Sequence, residues 1–292
     1  VLTDSTIGTA RDSAYTHGHV SGWDVSRVKT FAYLFNVGAK GSLQTTFDPK
    51  VGGWDTSRVT KMNMMFNACQ KFNDDLSLWN TAAVKSMQGM FTENQHFTGQ
   101  GLGSWNTGQV EDMSGMFANG CKVFNGEIGG WDTRNVKTMK RLFWAGTSYD
   151  SVFDQPLGTW NTGKVTTMLQ MFFRQKAFNQ AVGSWNTISV TDMYGVFAGA
   201  AVFNQDIGSW NTAAVTRMTA MFELAAAFNQ NIGSWSTSNV VPGNTITAGP
   251  CSQSAPCAGF GSMFSSATAF AADCPNVAAL SHWGKTKVQL SI

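Results

Sequence analysis

Five cysteines, four histidines, fourteen methionines and two acidic pairs are the residues of this 292-residue chain with the means to hold a metal or act as nucleophiles. Their spacing argues against both. His17 and His19 stand two apart, but His96 and His282 are remote, and no zinc-type ligand set results. Asp74-Asp75 and Glu111-Asp112 lack the glycine-centred loop of a calcium site and read as solvated surface. Most methionines recur at one fixed position, which suits core filling better than copper binding. A CxxC redox motif, a Gly-rich phosphate loop and a G-x-S-x-G elbow are all missing. The chain therefore predicts no catalytic residue, no metal, no cofactor and no enzymatic activity. Cys251, Cys257 and Cys274 crowd the C-terminal quarter. Cys251 and Cys257 are spaced to close a small disulfide loop, with Cys274 either left over or paired to one of them. Cys69 and Cys121 fall two repeats apart, on the order of 10 Å at a strand spacing of about 4.8 Å. That is beyond disulfide reach and predicts two buried free thiols.

The elements that carry these residues are periodic. Trp falls at 23, 54, 79, 105, 131, 160, 185, 210 and 235, mostly 25 or 26 residues apart. An aliphatic residue stands three before each Trp and Val five after it. Met follows eight after in seven of the nine copies, then usually a Met-Phe pair. Val215, Met218, Phe222 and Ala225 are spaced 3, 4 and 3, which predicts a short amphipathic helix. Asp, Asn or Ser directly after each Trp predicts its N-cap. Before the Trp, Phe203 and Ile207 share one face of a short strand, and Gly208 or its equivalent turns the Trp inward. Units this small bury their apolar faces only by stacking, so the pattern predicts an α/β solenoid of about nine 25–26-residue rungs with parallel strands. Its core files hold Trp54, Trp79, Trp105, Trp131, Trp160, Trp185, Trp210, Trp235, Val215, Met218, Phe222 and Phe228. The recurrent Trp reads as core rather than as a sugar-stacking platform. Asn179, Asn204 and Asn229 are expected to form a hydrogen-bonded ladder between rungs.

The stretch "FNQDIGSWNTAAVTRMTAMFELAAAFNQ" resembles the 26-residue repeat of bacterial surface proteins, a domain of unknown function also common in algal and protist proteins. Its "V-x-x-M-x-x-M-F-x-x-A" segment is similar to the BspA-type leucine-rich repeat, with Cys69 where that type often has cysteine. The likeness covers roughly residues 20–270. It implies a leucine-rich-repeat-like fold and an extracellular or cell-surface setting, and it brings no catalytic residues.

The expected organisation is an N-terminal cap over 1–19, a repeat array over 20–264 and a C-terminal cap or docking piece over 265–292. A Pro/Gly/Ser-rich insertion at 241–262 interrupts the last copy. The chain opens at Val1, which reads as a processed or excised product. Only 13% of residues are charged, against about 25% in typical domains, and the net charge of +2 singles out neither nucleic acid nor an anionic membrane. No apolar run is long enough for a membrane span. These features point to a non-enzymatic structural protein that joins other copies head to tail into a filament or surface layer. The alternative is a recognition or adhesion module that binds a glycan or another surface protein. Its strand face, or uneven loops at 36–46, 144–152 and 241–262, would carry that specificity.

Overall fold

The computed structural model describes residues 19–37, 48–146 and 151–241. Cys251, Cys257, Cys274, His17, His282 and most of both expected caps lie outside the described residues. Within them, successive repeats lie directly on one another. Trp79, Trp105, Trp131, Trp160, Trp185, Trp210 and Trp235 form one file, with consecutive ring centroids 6.1–6.4 Å apart and planes within 6°. The Phe of the Met-Phe pair forms a second, from Phe66 to Phe222, at 5.5–5.9 Å. Phe72 to Phe228 form a third, at 5.5–6.2 Å. Each such pair contributes about 0.5–1.5 kcal/mol beyond its area burial, so stacking rewards only sequences that keep register. Val215, Phe222 and Phe228 are fully enclosed, Met218 nearly so, and Trp54 through Trp235 are 2–4% exposed.

The backbone departs from the helix that the 3-4-3 spacing predicts. Among the described residues the only regular helices are two 3-10 turns, Val20–Gly22 and Leu102–Ser104. The Val-to-Phe segment is instead the one that pairs repeat to repeat. Parallel bridges run Thr30 to Lys61, Lys61 to Ser86, and onward without a gap to Arg217. Alternate residues donate to the next repeat: Met168 N to Asp192 O, Gln170 N to Tyr194 O, Phe172 N to Val196 O and Arg174 N to Ala198 O. The N–H groups between them close i-to-i+3 turns, as Met171 N to Met168 O and Gln175 N to Phe172 O. The residue ten after the Trp has positive φ in every repeat from Tyr33 to Ala220, between 52° and 63°. An α-helix would need all these N–H groups for itself. Sharing them with the neighbouring repeat satisfies the same donors and leaves Val, Met and Phe on the inside.

The residue expected to cap a helix caps a turn. Asn186 Oδ1 accepts from Ile188 N at 3.2 Å and Asn211 Oδ1 from Ala213 N at 3.0 Å. Ahead of the Trp the expected strand does not form among the described residues, and the bend brings Trp210 N onto Ile207 O. At Gly183 a close approach requires glycine: a Cβ there would stand 2.3 Å from Asp206 O in the next repeat. Differences in repeat length leave this frame in register. Ten residues separate Phe143 from Phe153 and six separate Phe172 from Phe178, yet both pairs stack at 4.1 Å.

Candidate functional site

The chemistry of the described residues is concentrated at the junctions between repeats. Each Trp from Trp54 to Trp235 donates its indole Nε1–H backward to the carbonyl three before the preceding Trp, at 2.9–3.1 Å. The threonine two after the Trp donates forward. Thr187 Oγ1 reaches Asn211 O and Thr212 Oγ1 reaches Ser236 O, both at 2.9 Å. Seven such threonines, from Thr56 to Thr212, are almost wholly buried, each with its hydroxyl satisfied. Asn179 Oδ1 accepts from Asn204 N at 2.9 Å and Asn204 Oδ1 from Asn229 N at 2.8 Å. Asp154 takes the same place one repeat earlier, accepting from Asn179 N. The asparagine file thus joins segments that share no strand pairing.

These junctions have a direction. In the bridge segment the four donating N–H groups of each repeat face the next repeat, and the carbonyls of the peptides that carry them face the previous one. The peptide dipoles therefore align along the stack, as in a helix. One file opposes them, six after the Trp, where Thr191 N donates back to Thr166 O and Thr216 N to Thr191 O. The stack consequently has two unlike ends. Carbonyls of Thr30, Ala32 and Leu34 have no partner among the described residues at one end, and neither have the N–H groups of Met218, Ala220 and Leu224 at the other.

The residues first considered for metal or catalytic work are occupied in the fabric. Asp74 Oδ2 accepts from Val51 N and Gly52 N, both at 2.7 Å. Hydrogen bonds from Ser77 hold the Asp75 carboxyl below its usual range. The Lys137 ammonium, 2.6 Å from Glu111, does the same for that carboxyl. His96 Nδ1 lies 2.5 Å from Gln70 O and His19 Nδ1 lies 2.7 Å from Ser21 Oγ. No group of three or more His, Cys, Asp or Glu side chains suited to a metal occurs among the described residues. Cys69 and Cys121 are free, buried and bonded to carbonyls of the preceding repeat, Phe35 O and Phe91 O, at 3.0 Å. Burial pushes both thiols up, Cys121 to about 12. Thiols so protonated are poor nucleophiles. No helix among the described residues is long and apolar enough to cross a membrane.

One surface cluster lies outside the repeat columns and was not singled out by periodicity. Trp144 and Phe173, thirteen after their Trp, pack at 6.1 Å, with Arg141 over the Trp144 ring at 5.3 Å and Arg174 over Phe173 at 5.7 Å. Arg141 Nε donates to Gln170 Oε1 at 2.8 Å. The readable signal was Trp144 itself, a tryptophan that breaks the period.

A family model described as "Mycoplasma protein of unknown function, DUF285" matches this chain three times in tandem, over residues 9–120, 37–152 and 147–256. No curated protein and no solved structure matches it.

Proposed function

The chain belongs to the DUF285 family, a repeat family, and from that premise we propose that it is a non-enzymatic structural protein of the cell surface or extracellular space that joins copies of itself end to end. The stack is a solenoid of leucine-rich-repeat type, close to the BspA kind. Its direction is the observation that carries the reading. Among the described residues, the carbonyls of Thr30 and Ala32 have no donor and stand in the columns that accept, seven and nine after the Trp. Among the same residues, the N–H groups of Met218 and Ala220 have no acceptor and stand in the columns that donate, eight and ten after it. One end therefore complements the other and not itself, which favours head-to-tail contacts and an open filament. Half-buried Thr237 adds to this, since its hydroxyl has no acceptor among the described residues in a column where seven others donate forward. Unpaired ladder groups make strand edges adhesive. The low charge of the chain, 13% with a net +2, offers little repulsion between copies.

Light scattering on the size-fractionated protein tests this. The expected mass climbs with concentration in steps of the 31.6 kDa chain without settling at a closed oligomer. A single 31.6 kDa species across the series contradicts it.

A further inference from the structure

Charge in this chain is sorted by side. The bridges of one segment and the asparagine and serine files of the other hold each position directly over its copy in the next repeat. A stretch counted from the Trp therefore forms one side of the stack along its length. From four to ten after the Trp, the described residues include ten Lys or Arg and three Asp or Glu, a net of +7. From seven before the Trp to one after it, they include nine Asp or Glu and one Lys, a net of −8. The whole chain carries only +2. Arg27, Arg58, Lys61, Lys85, Lys140 and Lys164 are exposed on the first side, and Asp24, Asp55, Asp75, Glu127 and Asp206 on the second.

Neither sign is set by the fold. One after the Trp, Asp24, Asp55 and Asp132 accept from the N–H two residues on. Asn80, Asn106, Asn161, Asn186 and Asn211 close the same turn without charge. Six after the Trp, Thr60, Thr166, Thr191 and Thr216 donate to a carbonyl of the preceding repeat. Lys29, Lys85 and Lys137 fill that column with no hydroxyl to offer. Like charges one repeat apart, as Asp24 with Asp55 and Arg27 with Arg58, repel along the stack. Uncharged residues serve these columns elsewhere in the same stack, so the sorting adds nothing to the fold that carries it.

We propose that stacks pack side by side, the acidic side of one copy against the basic side of a second copy. A side of one sign does not pair with itself, so the contact is heterologous and can pass from copy to copy. Both sides bear their charges at the repeat spacing, so two copies lying alongside bring several opposite charges together at once. Such charges attract within a Debye length, about 8 Å at physiological salt. A polyanion would occupy the basic side and leave the acidic side without a partner, whereas a second copy accounts for both. The contact uses neither end of the stack. It is therefore separate from end-to-end joining, and together with it would turn rods into sheets or bundles.

Negative-stain microscopy of the whole chain in about 20 mM and about 500 mM NaCl, on either side of physiological screening, tests the contact. Particles more than one chain wide are expected at low salt and particles one chain wide at high salt. Width reports this contact and length reports end-to-end joining, so either can fail alone. A basic-side variant carries Arg58→Gln, Lys61→Gln, Lys85→Gln, Lys140→Gln and Lys164→Gln. An acidic-side variant carries Asp24→Asn, Asp55→Asn, Asp75→Asn, Asp206→Asn and Glu127→Gln. All these side chains are exposed, and Asn keeps the oxygen that closes the turn, so both variants are expected to keep the parent melting curve. Each alone is expected to stay one chain wide at low salt. An equal mixture is expected to recover pairs, because each variant retains the side that the other lacks. The salt series on the parent decides alone if a variant unfolds. Parent particles one chain wide at low salt, width that survives high salt, a variant that still widens alone, or a mixture that does not pair overturns the inference. Parent particles that stay one chain wide at low salt and bind inorganic polyphosphate would assign the basic side to a polyanion instead.

Discussion

Trp185 donates its indole N–H to the carbonyl of Leu157, 28 residues earlier, at 2.9 Å in a fully enclosed setting. The same bond recurs at every junction from Trp54 to Trp235. Each tryptophan therefore does two jobs, filling a layer and tying that layer to the one before it. Trp185→Phe removes the tie and part of the volume. It is expected to cost about 2–4 kcal/mol, from one lost hydrogen bond together with a partly collapsed cavity. Urea unfolding measures it, and a loss below about 0.5 kcal/mol, the range of ordinary surface changes, contradicts the role.

Gly183 packs its Cα against the carbonyl of Asp206 in the next repeat, where a Cβ would stand at 2.3 Å. Gly53 has nothing within 4 Å of the same added atom. Gly183→Ala is expected to destabilise by about 1–3 kcal/mol, and Gly53→Ala to be neutral or slightly stabilising. Melting curves of the two variants side by side decide it. Equal shifts would mean that the inter-repeat approach is looser than the structure has it.

Cys69 and Cys121 are sealed inside, and burial holds both thiols protonated. A thiol reagent at pH 8 is expected to leave these two unmodified until denaturant is added. The sign of the pH effect follows from the raised value. The unfolded thiol ionises near 9.0 and folded Cys121 only at about 12. The stability these groups contribute is complete below pH 9 and is lost as pH rises from there towards 12. A stability plateau running through pH 11 contradicts this.

Phe143 and Phe153 stack as the shorter-spaced Phe172 and Phe178 do, so the stack keeps its register across four extra residues of chain. Deleting residues 147–150 restores the six-residue spacing. The deletion is expected to leave the melting temperature unchanged, because loop length enters stability only logarithmically. A cooperative loss of folding would show that the insertion supports the stack.

Periodicity made the inside of this protein legible, because a residue type that returns every 25 residues or so at a fixed offset from Trp has to meet its own copy in the next repeat. Val215, Phe222 and Phe228 are enclosed for that reason. The local backbone was less legible. The offsets of 3, 4 and 3 from Val215 to Ala225 suit a helix, yet they arise here from a segment whose alternate N–H groups leave for the next repeat. Spacing records which side chains point inward and is silent on where the N–H groups go. The same limit hid the direction of the stack, which resides in peptide orientation. The cluster around Arg141 and Trp144 escaped because a search for repeated columns discards what occurs once or twice.

Negative-stain microscopy of the purified chain over a concentration series tests end-to-end assembly most directly. Nine repeats at a strand spacing of about 4.8 Å give a unit about 45 Å long. Rods in multiples of that length, growing longer with concentration, are the expected result. Uniform particles of one unit at every concentration would contradict the account.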